Sequence, residues 1–235
     1  MLVDKTSQGP EEDSITIERC KIGRFSGDGL NLKFIWCITL SGNMICYNEG
    51  SGVRLSGYHA LISDNWISGN GLSVFGAYEW SPAISITGNR IEWNGARGPS
   101  ACIYLKHSSH YNICSHYIDR SSGPAIATIE DQGRGCLYVT VTGNMIYRSG
   151  RATQRKLDDS DSSQIRVEAS RGIVVTGNTL TAGRDDNMDP KGTSPKYGIV
   201  LGNLKNSVIS YNAMRGAECR PCVRGIHGSK LPPAT

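Results

Sequence analysis

Residues 84–94 read Ile84-Ser85-Ile86-Thr87-Gly88-Asn89-Arg90-Ile91-Glu92-Trp93-Asn94. Apolar side chains alternate up to Thr-Gly-Asn, and another follows two residues after the Asn. The period is two and not 3.6, so the stretch reads as two short strands meeting at a turn. The same tripeptide recurs at Thr142-Gly143-Asn144 and Thr176-Gly177-Asn178. Looser copies stand at Ser41-Gly42-Asn43, Ser63-Asp64-Asn65 and Ser210-Tyr211-Asn212. Glu18-Arg19-Cys20 and Cys114-Ser115-His116 fill the gaps, with Cys20 and His116 where the Asn would stand. Counted from residue 20, the steps between copies are 23, 22, 24, 27, 28, 34 and 34 residues. The shorter steps fit one rung of a solenoid, and the longer ones fit the same rung with inserted loops.

Each rung carries a third short strand after a polar turn. Examples are residues 29–33, 52–56, 103–106, 165–168 and 198–201. Three strands per ~23-residue rung, with inward Ile, Val and Leu, describe a parallel β-helix of about eight rungs. The recurring Asn is expected at a sharp turn between the second and third strands of a rung. Asn tolerates left-handed backbone and bonds locally. Stacked rungs would place the amides ~4.8 Å apart, as a hydrogen-bonded Asn ladder. The predicted organisation is an extension at 1–13, a β-helix domain at 14–228 and a tail at 229–235.

Composition agrees with a globular chain. Of 235 residues 38% are hydrophobic and 20% charged, which excludes a disordered tail or a coiled coil. Gly is in excess, 28 residues or about 12% against a usual ~7%. The formal net charge of +4 is too mild to argue for nucleic acid. The longest predominantly apolar run, Phe34 to Leu40, falls far short of the ~20 residues of a spanning helix, so no membrane insertion is expected. The eight Cys follow no framework spacing and sit mostly in apolar runs, as free thiols do. That usage fits synthesis in a reducing cytoplasm.

The pattern Ile-x-Ile-Thr-Gly-Asn-x-Ile followed by Gly-Ile-x-Leu resembles the right-handed parallel β-helix proteins of the pectate-lyase-like superfamily. Residues 87–94 and Ser163-Gln164-Ile165-Arg166-Val167-Glu168-Ala169-Ser170 resemble segments of bacteriophage tailspike proteins. The likeness covers about residues 14–228. It implies a homotrimer on a phage or prophage virion tail, made in the bacterial cytoplasm and acting outside it. It also implies binding, and often cleavage, of a bacterial surface polysaccharide without a cofactor or metal. No head-binding or trimerisation pattern is visible, so the chain is expected to be one segment of a longer spike.

In that superfamily the glycan groove usually lies on the sheet of third strands. Alternation predicts an outward strip holding Asn31, Lys33, Arg54, Ser56, Tyr104, Lys106, Thr128, Glu130, Arg166, Glu168, Val200 and His227. If Ile129 and Val167 are equivalent inward positions, Glu130 and Glu168 share one lateral position on adjacent rungs, ~4.8 Å apart at the backbone. Two carboxylates that close cannot both hold charge cheaply, and one protonated acid beside one ionised partner is what glycoside cleavage uses. The predicted catalytic residues are therefore Glu130 and Glu168, with Asp131 as a nearby alternative. Arg54, Tyr104, Lys106 and Arg166 are the predicted substrate contacts beside them. The competing reading of the column Lys106–Glu130–Glu168 is an exposed charge ladder serving solubility and register.

A second platform is Glu92 and Trp93 with Tyr78, Glu79 and Trp80, since indole faces suit pyranose rings. Its alternatives are an intersubunit contact or ordinary edge packing. The acidic insertions at 156–163 and 184–189 match no calcium-loop spacing and read as solvated loops or as spare carboxylates. Cys219 and Cys222 with His227 show three ligands where zinc needs four. An Asp-Asp pair without the companion motifs of polygalacturonases excludes that reaction. No Ser–His–Asp grouping is visible. A non-catalytic adhesive shaft, or a uronate lyase or epimerase using Arg54, Lys106 and His227, are the rival functions.

Overall fold

The computed structural model describes residues 1–77, 81–97, 101–150, 159–184, 193–216 and 223–226. Apart from one short 3-10 turn, Asp159–Asp161, every regular element there is a strand. Apart from a small antiparallel pair, Gly183–Arg184 with Thr193–Ser194, the strands stack in parallel as three walls of a β-helix, as the alternating pattern predicts. The first wall runs through Ile15–Glu18, the ends of Leu30–Ser41 and Val53–Ser63, then Pro82–Thr87, Ser109–Cys114, Leu137–Thr142, Val174–Thr176 and Val208–Ser210. The second is an eight-stranded sheet from Lys21–Gly23 to Ala213–Arg215. The third wall runs from Leu2–Asp4 and the starts of the two long strands through Phe75–Ala77, Ile103–Lys106, Ile126–Ile129, Ser163–Glu168 and Tyr197–Gly202 to Val223–Ile226.

In the two long strands the chain rounds the corner from third wall to first without leaving the sheet. The register shifts there between Leu32 and Ile35, and Gly57 lies opposite Ile35 with φ +146°. A Cβ at Gly57 would sit 2.0 Å from the Ile35 carbonyl oxygen, so only glycine fits this corner. Inside, Ile, Leu and Val columns such as Ile45–Ile67–Ile91–Ile118–Ile146–Leu180 are fully buried. This dry core is the main source of stability.

The amides line up as expected. Asn43 Nδ2 donates to Asn65 Oδ1, Asn65 to Asn89, Asn144 to Asn178 and Asn178 to Asn212, each at 2.9 Å. The turn itself differs from the expectation in two ways. The ladder lies between the first and second strands of a rung. Moreover, the left-handed residue is the one before the Asn, with φ between 52° and 65° at Arg19, Gly42, Asp64, Gly88, Ser115, Gly143, Gly177 and Tyr211. Thr-Gly-Asn thus divides the labour, with Gly making the turn and Asn satisfying buried backbone. His116 stands in the ladder in place of Asn: its Nδ1 accepts the Asn89 N–H at 3.0 Å, and its own N–H donates to Asn144 Oδ1.

A second ladder, not foreseen, occupies the turn into the third wall. Asn48 Nδ2 donates to Asn70 Oδ1 at 2.9 Å and Asn70 to Asn94 at 3.0 Å. Ser121 and Ser149 continue it, Oγ to Oγ, at 3.2 Å. The spacing was visible, because each of these Asn follows a first-ladder Asn by five residues.

Candidate functional site

On the third wall the strip of predicted contacts exists, but its register is one residue off at the proposed acid pair. Ile126 lies opposite Ile165, Ala127 opposite Arg166 and Thr128 opposite Val167. Thr128 is therefore the inward residue, fully buried, with its hydroxyl 3.3 Å from Ser170 Oγ. The expectation that Ile129 and Val167 are equivalent is overturned, and so is the outward placement of Thr128. A hydroxyl hidden by a buried partner reads in sequence as an exposed residue. Lys106 pairs with Ile129, and continuing the ladder puts Ile129, not Glu130, opposite Glu168. Glu130 lies past the strand end, exposed, beside a turn in which Asp131 and Arg134 exchange backbone hydrogen bonds at 2.9 Å.

Three other residues of this strip, Lys106, Arg166 and Glu168, are held by ion pairs. Arg166 donates to Glu168 through Nε at 2.8 Å and to Asp161 through Nη1 at 2.5 Å. Lys106 lies 3.0 Å from Asp131. Burial works against the Arg166 charge, but Glu168 and Asp161 more than offset it and raise its pKa. Tyr104 and Arg54 share one outward column, separated by Gly76. Val200, in the same column as Arg166, is fully buried. Trp80, Tyr78, Glu79, Asp158, residues 185–189, Cys219, Cys222 and His227 lie outside the described residues. Among the described residues no three His, Cys, Asp or Glu side chains gather as a metal site needs, and the six cysteines are free thiols.

The constellation sought on the third wall is built on the second. Glu92 lies directly opposite Asp119 on adjacent strands, with Arg90 opposite Tyr117. Both carboxylates stand three residues after a ladder residue, Asn89 and His116. The equivalence was legible, because His116 already reads as a ladder position; Asp119 was missed because paired acids were sought on the third wall. Their backbones are one strand spacing apart, ~4.8 Å.

Around this pair the side chains alternate cation and ring. Arg90 lies over Trp66 at 5.3 Å and over Tyr117 at 5.1 Å from the ring centres, and its Nη2 is 2.7 Å from Glu92. The next residues along, Trp93, Arg120 and Arg148, are all left-handed, with φ of 57°, 56° and 52°. Their N–H groups donate to Asp119, Tyr147 and Thr181 carbonyls at 3.1 Å, so the turns stack. Arg120 lies 4.5 Å over Trp93, and Arg148 4.1 Å over Tyr147. Both guanidinium groups also close on Asp119: Arg120 Nη1 at 2.5 Å and Arg148 Nη2 at 3.3 Å.

Asp119 is 2% exposed. Burial raises its carboxyl pKa above the usual carboxylate value. The two arginines pull it back and Glu92 pushes it up, leaving a net rise. Burial, with Asp119 and Glu92 nearby, also raises the Tyr117 phenol. Trp66 and Trp93, over 40% exposed, offer open indole edges beside the acids. The arrangement joins two in-register carboxylates, one protonating more readily than usual, to arginines and flat aromatic rings.

No protein-family model matches the chain, and no curated protein is significantly similar to it in sequence. Solved structures do share its architecture. DFA-IIIase from Arthrobacter chlorophenolicus A6 in complex with GF2 is 13% identical with a TM-score of 0.61, over 93% of this chain and 53% of that one. A mutant of the same enzyme is 14% identical with a TM-score of 0.59, over 85% and 44%. An alginate lyase from Paenibacillus sp. str. FPU-7 is 12% identical with a TM-score of 0.42, over 87% and 79%. This chain thus spans about half the length of the DFA-IIIase chains it matches. At these identities the likeness concerns the fold, and by its stacked parallel walls and amide ladder this chain is a parallel β-helix.

Proposed function

We propose that this chain binds and cleaves a bacterial surface polysaccharide, as a segment of a phage tailspike-like homotrimer on a virion tail, and that the chemistry is glycoside hydrolysis at Glu92 and Asp119. The observation that carries the proposal is the opposition of these two carboxylates on adjacent strands. Carboxyl separations near ~5 Å suit a retaining mechanism. Asp119, whose carboxyl pKa burial raises, serves as the acid that protonates the leaving oxygen. Glu92, paired with Arg90, attacks the anomeric carbon as the protonated leaving group departs, and a water that gives its proton to Asp119 then displaces Glu92 from that carbon. Trp66 and Trp93 supply stacking faces for sugar rings. Substrate must displace the Arg120 guanidinium from Asp119 to reach it. Glu168, Glu130 and Asp131 remain the alternative acids, with Arg54, Tyr104, Lys106 and Arg166 as glycan contacts on the third wall.

The test is reducing-end release from capsular or O-antigen polysaccharides by the wild type and by Glu92→Gln, Asp119→Asn and Glu168→Gln. Losses of at least ~100-fold in the first two, with the third near wild type, are expected. The reverse pattern would move the chemistry to the third wall. Inactivity of the wild type on every glycan it binds would leave an adhesive shaft. The cluster Arg90, Arg120 and Arg148 favours one second reading, a uronate lyase, whose unsaturated product would absorb in the ultraviolet.

A further inference from the structure

The outer face of the first wall differs chemically from the other two. From Ile38–Ser41 through Ala60–Ser63, Pro82–Thr87, Ser109–Cys114, Leu137–Thr142 and Val174–Thr176 to Val208–Ser210, its strands contain no Asp, Glu, Lys or Arg. The outward columns are Thr39–Leu61–Ser85–Asn112–Thr140–Val174–Val208 and Ser41–Ser63–Thr87–Cys114–Thr142–Thr176–Ser210. On the second and third walls the corresponding columns carry Arg90, Glu92, Asp119, Arg54, Lys106, Arg166 and Glu168.

Apolar side chains stand uncovered on the uncharged wall: Leu61 at 57% exposure, Tyr138 at 53% and Val208 at 52%. A groove of about 550 Å³ runs along it, between the outward Thr and Ser and a rim made by Cys37, His59 and His110. Among the described residues charges return at the margins, where Asp64, Arg171 and Lys205 are exposed, and at the wall's first strand, Ile15–Glu18, where exposed Glu18 accepts from the Ser41 hydroxyl at 3.1 Å. A charge-depleted centre with apolar anchors and a polar rim is the anatomy of a protein–protein interface.

We propose that the first wall is buried against the first wall of a second copy of this chain. Two physical points select that occupant. First, the seven uncharged strands cover about 34 Å by about 15 Å, roughly 500 Å² per copy and about 1,000 Å² for two, the lower bound of a specific interface. Second, the wall is ridged at one strand spacing, and a partner must repeat at that spacing to interlock along its whole length. A second copy does so by construction, and no charge is desolvated on either side. A face that meets itself in this way closes as a dimer, so the inference stands apart from the homotrimer of the preceding section, and it does not depend on glycan cleavage.

Light scattering coupled to size exclusion tests it. The wild type is expected to run as a dimer at 100 µM, and Leu61→Arg with Thr140→Lys as a monomer. Met145→Lys, at a 53% exposed position on the second wall, should leave the mass unchanged. A wild-type dimer would uphold the inference and remove the trimer; a trimer, which a single self-complementary face cannot close, would overturn it. A wild-type monomer, or a double variant of unchanged mass, overturns the inference. Should the double variant not fold, oxidative footprinting of the wild type decides: Tyr138, 53% exposed, must be modified several-fold more slowly than Tyr47, 64% exposed. Equal rates, including in a monomer whose groove takes up neutral oligosaccharide, overturn it.

Discussion

His116 offers a direct probe of the ladder. It is 2% exposed, and burial holds its pKa down to about 4. Nδ1 accepts the Asn89 N–H, so the proton of the neutral ring is on Nε2. At this ladder position Asn89 and Asn144 each donate back to a carbonyl, Ile62 and Ile113, at 3.1 and 3.2 Å. The matching carbonyl for His116 is Ile86, and Nε2 faces it without reaching good hydrogen-bond geometry. In the unfolded chain the imidazole titrates near ~6.5. Between these values the unfolded state holds a proton that the folded state refuses, so stability is lost as pH falls from about 6.5 to about 4. The full loss is about 3 kcal/mol, of which about 2 kcal/mol has been incurred at pH 5. His116→Asn removes the titration and restores an amide to the stack. The assay is urea unfolding followed by circular dichroism at pH 7.5 and pH 5.0. The variant's advantage over the wild type should widen by about 2 kcal/mol, or about 1 M in midpoint for a slope of ~2 kcal/mol/M. An advantage of equal size at both pH values would refute the assignment of His116 as a neutral, sequestered rung.

Other outcomes follow from the same geometry. Asp119→Ala, which strands the buried Arg148, should cost about 3–5 kcal/mol in urea unfolding, and more than Asp119→Asn. Asn70→Ala removes an amide that donates to Ile45 O and Asn94 Oδ1 and accepts from Asn48, and should cost about 1–3 kcal/mol. Gly57→Ala, forced against the Ile35 carbonyl, should lower the melting temperature at a cost of about 3 kcal/mol. Trp66→Ala and Trp93→Ala should each weaken glycan binding about tenfold by calorimetry on protein that remains folded at the assay temperature.

Much of the fold was legible because its determinants are local and repeated. The left-handed turn needs Gly or a tolerant residue, the ladder needs an amide, and the core needs alternating aliphatics, and each rung states all three within a dozen residues. His116 was recognisable as a replaced rung for the same reason. Distance along the chain was not the obstacle, since even the 34-residue steps land in register. The candidate site was harder to read. Arg54, Tyr104, Lys106, Arg166 and Glu168 were found on the third wall by alternation alone. Glu130 was misplaced because Thr128 takes an inward position that its side-chain type does not announce.

What the sequence determined by itself is the set of turns, amides and core positions, because these answer to neighbouring backbone and to a period of two. What only the tertiary structure decided is register between rungs separated by loops of unequal length. That register chose Glu92 with Asp119 as the opposed acids, brought Arg120 and Arg148 onto one carboxylate, and left the seven first-wall strands from Ile38–Ser41 to Val208–Ser210 without charge. The physical reason is that a strand shifted by one residue turns every side chain to the other face. That choice is made by the buried contacts between rungs, here a Thr128 hydroxyl reaching Ser170.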